Sequence, residues 1–332
     1  MKLIDYGVRE DEKQYIEEWS EDNNIEVKIL SELLTPETVE LAKGFDGVVA
    51  YQQLPYDPSI FDKMNEYGIH VLSLRNVGVD NVPIDALKKN DIRLTNVPSY
   101  SPEAIAEYSV TGLMALLRNL KHMIRKVDQH DFDWAPDIGR ELNQLTVGVA
   151  GTGRIGQAAI KIYEGFGAKV IAFDKYRNEE LDKRGLYVNS LDELLKQSDV
   201  ITLHLPSLGI GNTVINSKTI SEMKDNAIVV NTGRGDLVNT ADLYEAVVSG
   251  KLYGAVLDVY ENEVGIFNND LTDQDLEDKL LEKMIKSPRI IVTPHIAFYT
   301  TKAVKNMATV SLNSMVDELN TGKSTTEINL NK

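Results

Sequence analysis

The chain has 332 residues and no cysteine, with 42% apolar and 26% charged residues. Such proportions suit a globular protein, long enough for two domains at roughly 100–200 residues each, and they exclude a disordered chain, disulfides, thiolate catalysis and cysteine-based metal sites. With 35 basic against 51 acidic side chains the net charge is −16, so the chain repels phosphate backbones and anionic lipid, and neither nucleic acid nor a membrane is an expected partner.

The N-terminus carries Asp5 inside its first apolar run and does not read as a signal peptide. No stretch approaches the roughly 18 apolar residues of a membrane span, so a cytoplasmic location is expected. Short β-branched runs at Lys2–Tyr6, Ile25–Leu30, Phe45–Tyr51, Ile69–Leu74 and Ile92–Thr95 read as strands. Helical patterns lie between them near 11–22, 36–43, 58–67 and 83–90. Strand and helix alternating at this spacing predict a parallel sheet with crossover helices. Ser101 and Pro102 then supply an N-cap and a first helical residue, and a long helix is predicted from about Glu103 to Leu120. A helix of that length suggests a link between two lobes. A second βαβ series is predicted from strands at Thr146–Ala150, Lys169–Phe173, Val200–Leu203, Ala227–Asn231, Gly254–Leu257 and Ile290–Val292. A last helix is expected from about Thr300 to Leu319.

The segment Gly151-Thr152-Gly153-Arg154-Ile155-Gly156 fits G-x-G-x-x-G. The pattern alone is weak, but here a β-branched strand precedes it, an amphipathic helix follows, and the next strand ends in Asp174. Gly151 permits the tight turn, Gly153 admits a pyrophosphate close to the backbone, and Gly156 lets the helix pack on the strand. Asp174 lies 18 residues past Gly156, near the position from which an acid binds a ribose 2′-hydroxyl. A carboxylate there repels a 2′-phosphate, so NAD is expected rather than NADP. The competing reading is that Asp174 merely ends a strand and Arg177 accepts a 2′-phosphate.

Of the five histidines, His70, His122 and His130 read as structural or surface residues. His204, in Leu-His-Leu-Pro at a strand end, is expected to line the cofactor cleft without moving a proton. His295 follows a buried-looking strand in Val-Thr-Pro-His and would meet two other motifs at the same sheet edge. Thr232-Gly233-Arg234-Gly235 can present a guanidinium, whose planar fork suits a carboxylate. The run Asp258 to Glu263 offers a carboxylate to orient and charge an imidazole. The residues alone do not choose among Asp258, Glu261 and Glu263.

With GTGRIG, the strand ending in Asp174, LHLP, NTGRG, LDVYENE and TPHIAFYT in this order, the chain resembles the D-isomer-specific 2-hydroxyacid dehydrogenase family along essentially its whole length. Further stretches, YQQL at 51–54, SLRNVGVDN at 73–81, NVPSYSPEAIAEYS at 96–109 and ENEVGIFN at 261–268, are similar to the branch of the family that acts on lactate. The resemblance implies two doubly wound α/β domains. A Rossmann-type NAD domain, 100–298, is inserted in a flavodoxin-like substrate domain made of 1–99 and 299–332. It implies Glu263 as the carboxylate partner, Arg234 as the substrate clamp and His295 as the acid/base. It implies cofactor contacts from Gly151, Gly153, Arg154, Ile155, Gly156, Asp174, His204, Leu205, Pro206, Asn212, Thr232, Gly233 and Asp258. Substrate contacts are implied at Tyr51, Val77, Gly78, Tyr100 and Phe298, and a homodimer through the cofactor domain is implied as well. Where the broader family often has Pro after the glutamate, this chain has Val264, as in the lactate branch. The expected reaction is reversible hydride transfer between NADH and pyruvate, giving D-lactate, with no metal. Tyr51 is expected to narrow the pocket toward a methyl group. The rivals are the same mechanism on larger 2-keto acids, which KGFDG at 43–47 also suggests, and a non-catalytic NAD sensor on the same scaffold.

Overall fold

A computed structural model describes residues 1–209 and 211–330. The chain divides into two compact units. One is Met1–Ser101 with the C-terminal stretch from Tyr299 onward, and the other is Pro102–Phe298.

In the first unit, β1 (Lys2–Tyr6), β2 (Glu26–Ile29), β3 (Gly47–Ala50), β4 (Val71–Leu74) and β5 (Arg93–Thr95) form a sheet in the order β2-β1-β3-β4-β5. Every pair is parallel, and this is the flavodoxin-like order. Residues of β3 and β4 are buried without alternation, as strands covered by helices on both faces must be. Helices Glu10–Asn23 and Thr301–Thr321 cover one face, where Ile16, Trp19, Ala308, Leu312 and Met315 pack on Leu3, Val49 and Val71. Helices Ser59–Glu66 and Ile84–Lys89 cover the other, where Ile60, Phe61, Met64 and Leu87 pack on Ile4, Val48 and Leu72. Each such buried side chain contributes about 1.5–3 kcal/mol. The helix expected over 36–43 is only a 3-10 turn, Val39–Ala42. Thr35 and Thr38 bind their own backbone there, with Thr38 Oγ1 donating to Leu33 O at 2.6 Å and accepting from Thr35 N at 2.8 Å. Such local bonds compete with a longer helix.

In the second unit, β6 (Thr146–Ala150), β7 (Lys169–Phe173), β8 (Val200–Leu203), β9 (Ala227–Asn231), β10 (Leu252–Leu257) and β11 (Ile290–Val292) form a sheet in the order β11-β10-β9-β8-β6-β7. All pairs are again parallel, so all six C-terminal ends lie on one edge. The strand order reverses at β6, between β7 and β8, which is where such sheets bind ligands.

The long helix differs from expectation. It runs Pro102–Leu117 and lies wholly in the second unit, so it does not link the two. Its apolar face packs Val110, Leu113 and Leu117 with Val147, Ile160 and Val256. Gly112 permits the approach, since a Cβ there would lie 2.5 Å from Val256 Cγ1. Asn119 takes a left-handed conformation, φ 52°, and a second helix, Leu120–Asp128, follows. Among the described residues no helix is long and apolar enough to cross a membrane.

Candidate active site

The loop after β6 begins the cofactor side of the site. Gly151 has φ +93°, and a Cβ on it would run into the carbonyl of His204. A Cβ on Gly156 would strike the carbonyl of Gly151, so the helix can start this close to the strand only with glycine. That helix, Arg154–Gly165, has Gly153 as N-cap and no side-chain cap. Nothing lies within 4 Å of where a Gly153 Cβ would be. A helix N-terminus without a side-chain cap and with open space beside Gly153 suits an anion.

Asp174, just past β7, sits against this loop. Its Oδ2 accepts from Thr152 N at 2.6 Å and from Thr152 Oγ1 at 3.2 Å, and its Oδ1 accepts from Tyr176 N at 2.8 Å. At the ends of β8 and β9, His204 Nδ1 and Thr232 Oγ1 are buried without a hydrogen-bond partner among the described residues. The other ring nitrogen of His204 bonds Thr202 Oγ1 at 2.9 Å. Burial lowers the pKa of His204 to about 4, which leaves the imidazole neutral at pH 7. A glycine turn with uncapped helix N–H groups, an acid at the neighbouring strand end and two orphaned polar atoms fit a dinucleotide. Leu205 packs against the core of this unit, and Asn212 is exposed, its Nδ2 donating to Leu208 O at 3.0 Å.

Three motifs meet at the ends of β9, β10 and β11. Asn231 staples the turn after β9, since its Nδ2 donates to Arg234 O at 2.8 Å and its Oδ1 accepts from Gly233 N at 3.1 Å. A Cβ on Gly235 would strike the backbone of Tyr260 and Glu261, so glycine is what lets the Arg234 turn press against the loop after β10. In that loop Glu263 Oε2 accepts from Tyr260 N at 3.0 Å, which turns Oε1 onto His295 Nδ1 at 2.6 Å. The alternatives left open by the sequence separate here. Glu263 pairs with the histidine, whereas Asp258 does something else. Asp258 is fully buried, and its carboxylate accepts from Thr293 Oγ1 at 2.6 Å, Ile296 N at 2.9 Å and Ala297 N at 2.7 Å. It clamps both sides of the turn that carries His295. His295 itself has φ +58°, in the left-handed region that few non-glycine residues enter, histidine among those that do so more readily, and the clamp holds it there. Its backbone N–H donates to Asp258 O at 2.7 Å.

The electrostatics follow. Burial works to lower the His295 pKa, but the hydrogen bond and charge of Glu263 and the charge of Asp258 outweigh it and the opposing charge of Arg234, so the net shift is upward. Burial pushes the Asp258 carboxyl up, opposed by its three hydrogen bonds and by His295. The Phe298 ring stands edge-on to His295, centroids 6.4 Å apart.

The first unit carries Tyr51, Val77, Gly78 and Tyr100. Tyr51 follows β3, with the guanidinium carbons of Arg9 and Arg75 at 5.4 and 5.8 Å from its ring centroid. Asn96 Nδ2 holds the carbonyl of Val77 at 2.7 Å and Asn76 Nδ2 that of Gly78 at 2.6 Å, which fixes the turn after β4. Tyr100 O accepts from Asn306 Nδ2 at 2.7 Å. Sequence reasoning missed Asn231 and the clamping role of Asp258. Asn231 stands directly before Thr-Gly-Arg-Gly, where an asparagine turn is a readable signal; nothing in the local sequence separates a clamp from a partner among three nearby acids.

Residues 110–297 match the family model described as the D-isomer specific 2-hydroxyacid dehydrogenase NAD binding domain. The chain is 53% identical over 328 residues to a D-lactate/D-glycerate dehydrogenase of Pediococcus acidilactici, covering 99% of both chains. It is 50% identical over 329 residues to a D-lactate dehydrogenase of Lactiplantibacillus plantarum, again covering 99% of both. Among solved structures, a D-2-hydroxyisocaproate dehydrogenase superposes with a TM-score of 0.91 at 44% identity, covering 99% of each chain.

Proposed function

Since the chain belongs to the D-isomer specific 2-hydroxyacid dehydrogenase family and is an NAD-dependent oxidoreductase, we propose that it reduces pyruvate to D-lactate, with Arg234, Glu263 and His295 as its reacting set. The observation that carries this reading is the 2.6 Å pairing of Glu263 Oε1 with His295 Nδ1, beside a turn that presents Arg234. NADH, when bound, supplies the hydride that reduces the keto carbon. The glycine turn and the helix starting at Arg154 would hold its phosphates, Asp174 its adenosine ribose, and Thr232 and His204 would offer their orphaned atoms. Arg234 clamps the carboxylate of the keto acid through its two-pronged fork and polarises the keto oxygen. With Nδ1 engaged by Glu263, His295 delivers its proton from Nε2 to the developing alkoxide and takes another from solvent afterwards. Glu263 keeps that imidazole charged and correctly turned. Asp258 acts as a positioning residue through the His295 turn. Tyr51, Val77, Gly78, Tyr100 and Phe298 are assigned to substrate contact, the first unit to substrate binding and the second to the cofactor.

The test is oxidation of NADH against a panel of 2-keto acids with chiral analysis of the product. Pyruvate giving D-lactate supports the reading, and L-lactate or no turnover refutes it. The similarity to a D-2-hydroxyisocaproate dehydrogenase favours one second reading, larger 2-keto acids. An apolar pocket discriminates by only about 1–3 kcal/mol per methylene, so the ratio of kcat/KM on pyruvate and 2-ketoisocaproate decides it. We also assign a homodimer through the second unit. The segment Leu120 to Ile138 exposes Leu120, Ile124, Val127, Phe132, Trp134 and Ile138, and large exposed apolar side chains concentrated in one segment suit a protein–protein contact. Sedimentation at the mass of one chain refutes it. A cytoplasmic location accompanies the reading, because both reactants are soluble metabolites of that compartment.

A further inference from the structure

The side chain of Tyr187 takes part in neither hydride nor proton transfer, yet it touches both parts of the adenosine side that bear on cofactor choice. It lies on a short extended stretch paired beside β7, where Val188 N donates to Ala172 O at 3.0 Å and Leu186 O accepts from Ala172 N at 2.8 Å. Its hydroxyl is 2.6 Å from Thr152 Oγ1 and 2.8 Å from Asn178 N. The proton directions in this group are forced. Asn178 N can only donate, so Tyr187 Oη accepts there. An ionised Asp174 can only accept, so Thr152 Oγ1 spends its proton on Asp174 Oδ2, at 3.2 Å. Tyr187 must therefore donate to Thr152. The result is a one-way chain, Asn178 N–H to Tyr187 O–H to Thr152 O–H to the Asp174 carboxylate, in which each bond strengthens the next. Counting Thr152 N and Tyr176 N, Asp174 accepts three hydrogen bonds. A carboxylate has about four acceptor positions, so capacity remains for one hydroxyl.

The ring of Tyr187 has a separate task. The Arg177 guanidinium carbon sits 5.2 Å from its centroid. Arg177 Nη2 donates to Val188 O at 3.2 Å and Nη1 pairs with Asp182 at 3.1 Å. The arginine that could welcome a 2′-phosphate is held on the plate of Tyr187 instead.

We propose that Tyr187 is a specificity-determining residue for an unphosphorylated cofactor ribose. Its hydroxyl fixes the Asp174 carboxylate through Thr152, and its ring keeps Arg177 stacked away from the ribose acid. This rests on the reading that Asp174 takes the adenosine ribose.

The experiment is calorimetric titration of the full chain with NADH and with NADPH, without keto acid. Tyr187→Phe keeps the plate and deletes the hydroxyl; its NADH Kd is expected to rise about 5- to 10-fold, the effect of losing one hydrogen bond between neutral groups, with no gain for NADPH. Tyr187→Leu removes both functions; NADH weakens similarly, and NADPH tightens about tenfold as Arg177 becomes a phosphate partner. Adding Arg177→Ala to Tyr187→Leu abolishes the NADPH gain and leaves the NADH loss. A merely structural tyrosine would weaken both cofactors together, so the split between them is the decisive reading. Wild-type NADH affinity in Tyr187→Phe overturns the relay, and no NADPH gain in Tyr187→Leu overturns the plate. Asp174→Ala separates the layers: unchanged affinity for both cofactors refutes the ribose assignment itself, whereas altered affinity there with none at Tyr187 refutes the proposal alone.

Discussion

Replacing Glu263 by glutamine should move the alkaline limb of keto-acid reduction to lower pH. The amide keeps one oxygen that can accept from His295 Nδ1, while its NH2 replaces the oxygen that accepts from Tyr260 N, so the charge is removed together with that backbone bond. Two unit charges about 4 Å apart interact by roughly 4 kcal/mol at an effective dielectric constant near 20, equivalent to moving the limb by about 3 on the pH scale. The side chains of His295 and Glu263 are 30% and 16% exposed, so solvent screens part of this and the limb is expected to move by about 1–2 on that scale. Reduction needs the imidazolium, so activity is present below the His295 pKa and lost as pH rises through it. Glu263 raises that pKa; without its charge, burial lowers the value and activity disappears earlier on the pH scale. At a fixed pH above both limbs, the variant should therefore be slower by about 10- to 100-fold. The assay is kcat/KM for pyruvate at saturating NADH from about pH 5 to about pH 10, since this profile reports the groups of the NADH-loaded enzyme before pyruvate binds. The same pairing contributes stability that is complete below the ordinary histidine pKa of 6.5 and fades as pH rises through the raised value. Thermal midpoints of the two proteins should therefore converge toward high pH. A limb that stays within about 0.5 of its wild-type pH would refute the assignment of Glu263 as the group that charges His295.

His295→Ala should lose about 10²–10⁴ in turnover, the usual worth of a general acid, while the NADH Kd by fluorescence titration stays close to wild type; undiminished turnover removes His295 from the mechanism. Arg234→Lys replaces a fork by a point charge, so KM for pyruvate should rise about tenfold or more, with an unchanged KM arguing against the clamp. In the first unit, Arg75 is fully buried between Asp5 Oδ1 at 3.2 Å and Glu12 Oε2 at 2.7 Å. Arg75→Met strands the buried Asp5, while Glu12 keeps Arg9 Nη2 at 3.1 Å, and should cost about 3–5 kcal/mol in denaturant unfolding at pH 7; burial holds the Asp5 pKa at about 7 even with the arginine present, so the loss should shrink as pH falls and Asp5 protonates. A loss under about 1 kcal/mol would show that the pair is solvated.

What the sequence determined by itself is the set of elements and the places where strands end. Strands of the second unit such as Thr146–Ala150, Lys169–Phe173 and Val200–Leu203 have the bounds expected of them, because a parallel strand buried on both faces must be an unbroken apolar run and stops where that run stops. The glycine fingerprint was legible for a similar reason, since steric need for a missing Cβ at Gly151 and Gly156 is written directly as residue type. Only the tertiary structure decided which acid serves His295. Asp258, Glu261 and Glu263 are equivalent along the chain, and they part company because β10 and β11 lie side by side, placing the buried Asp258 under the 293–297 turn while the backbone of Tyr260 swings Glu263 onto the ring. The same holds for Tyr187, 35 residues from Thr152, and for Arg75, whose partners lie near the N-terminus. A side chain's periodicity reports burial, but its hydrogen-bond partner is set by which strands the fold brings together, and that information is held in no local stretch of sequence.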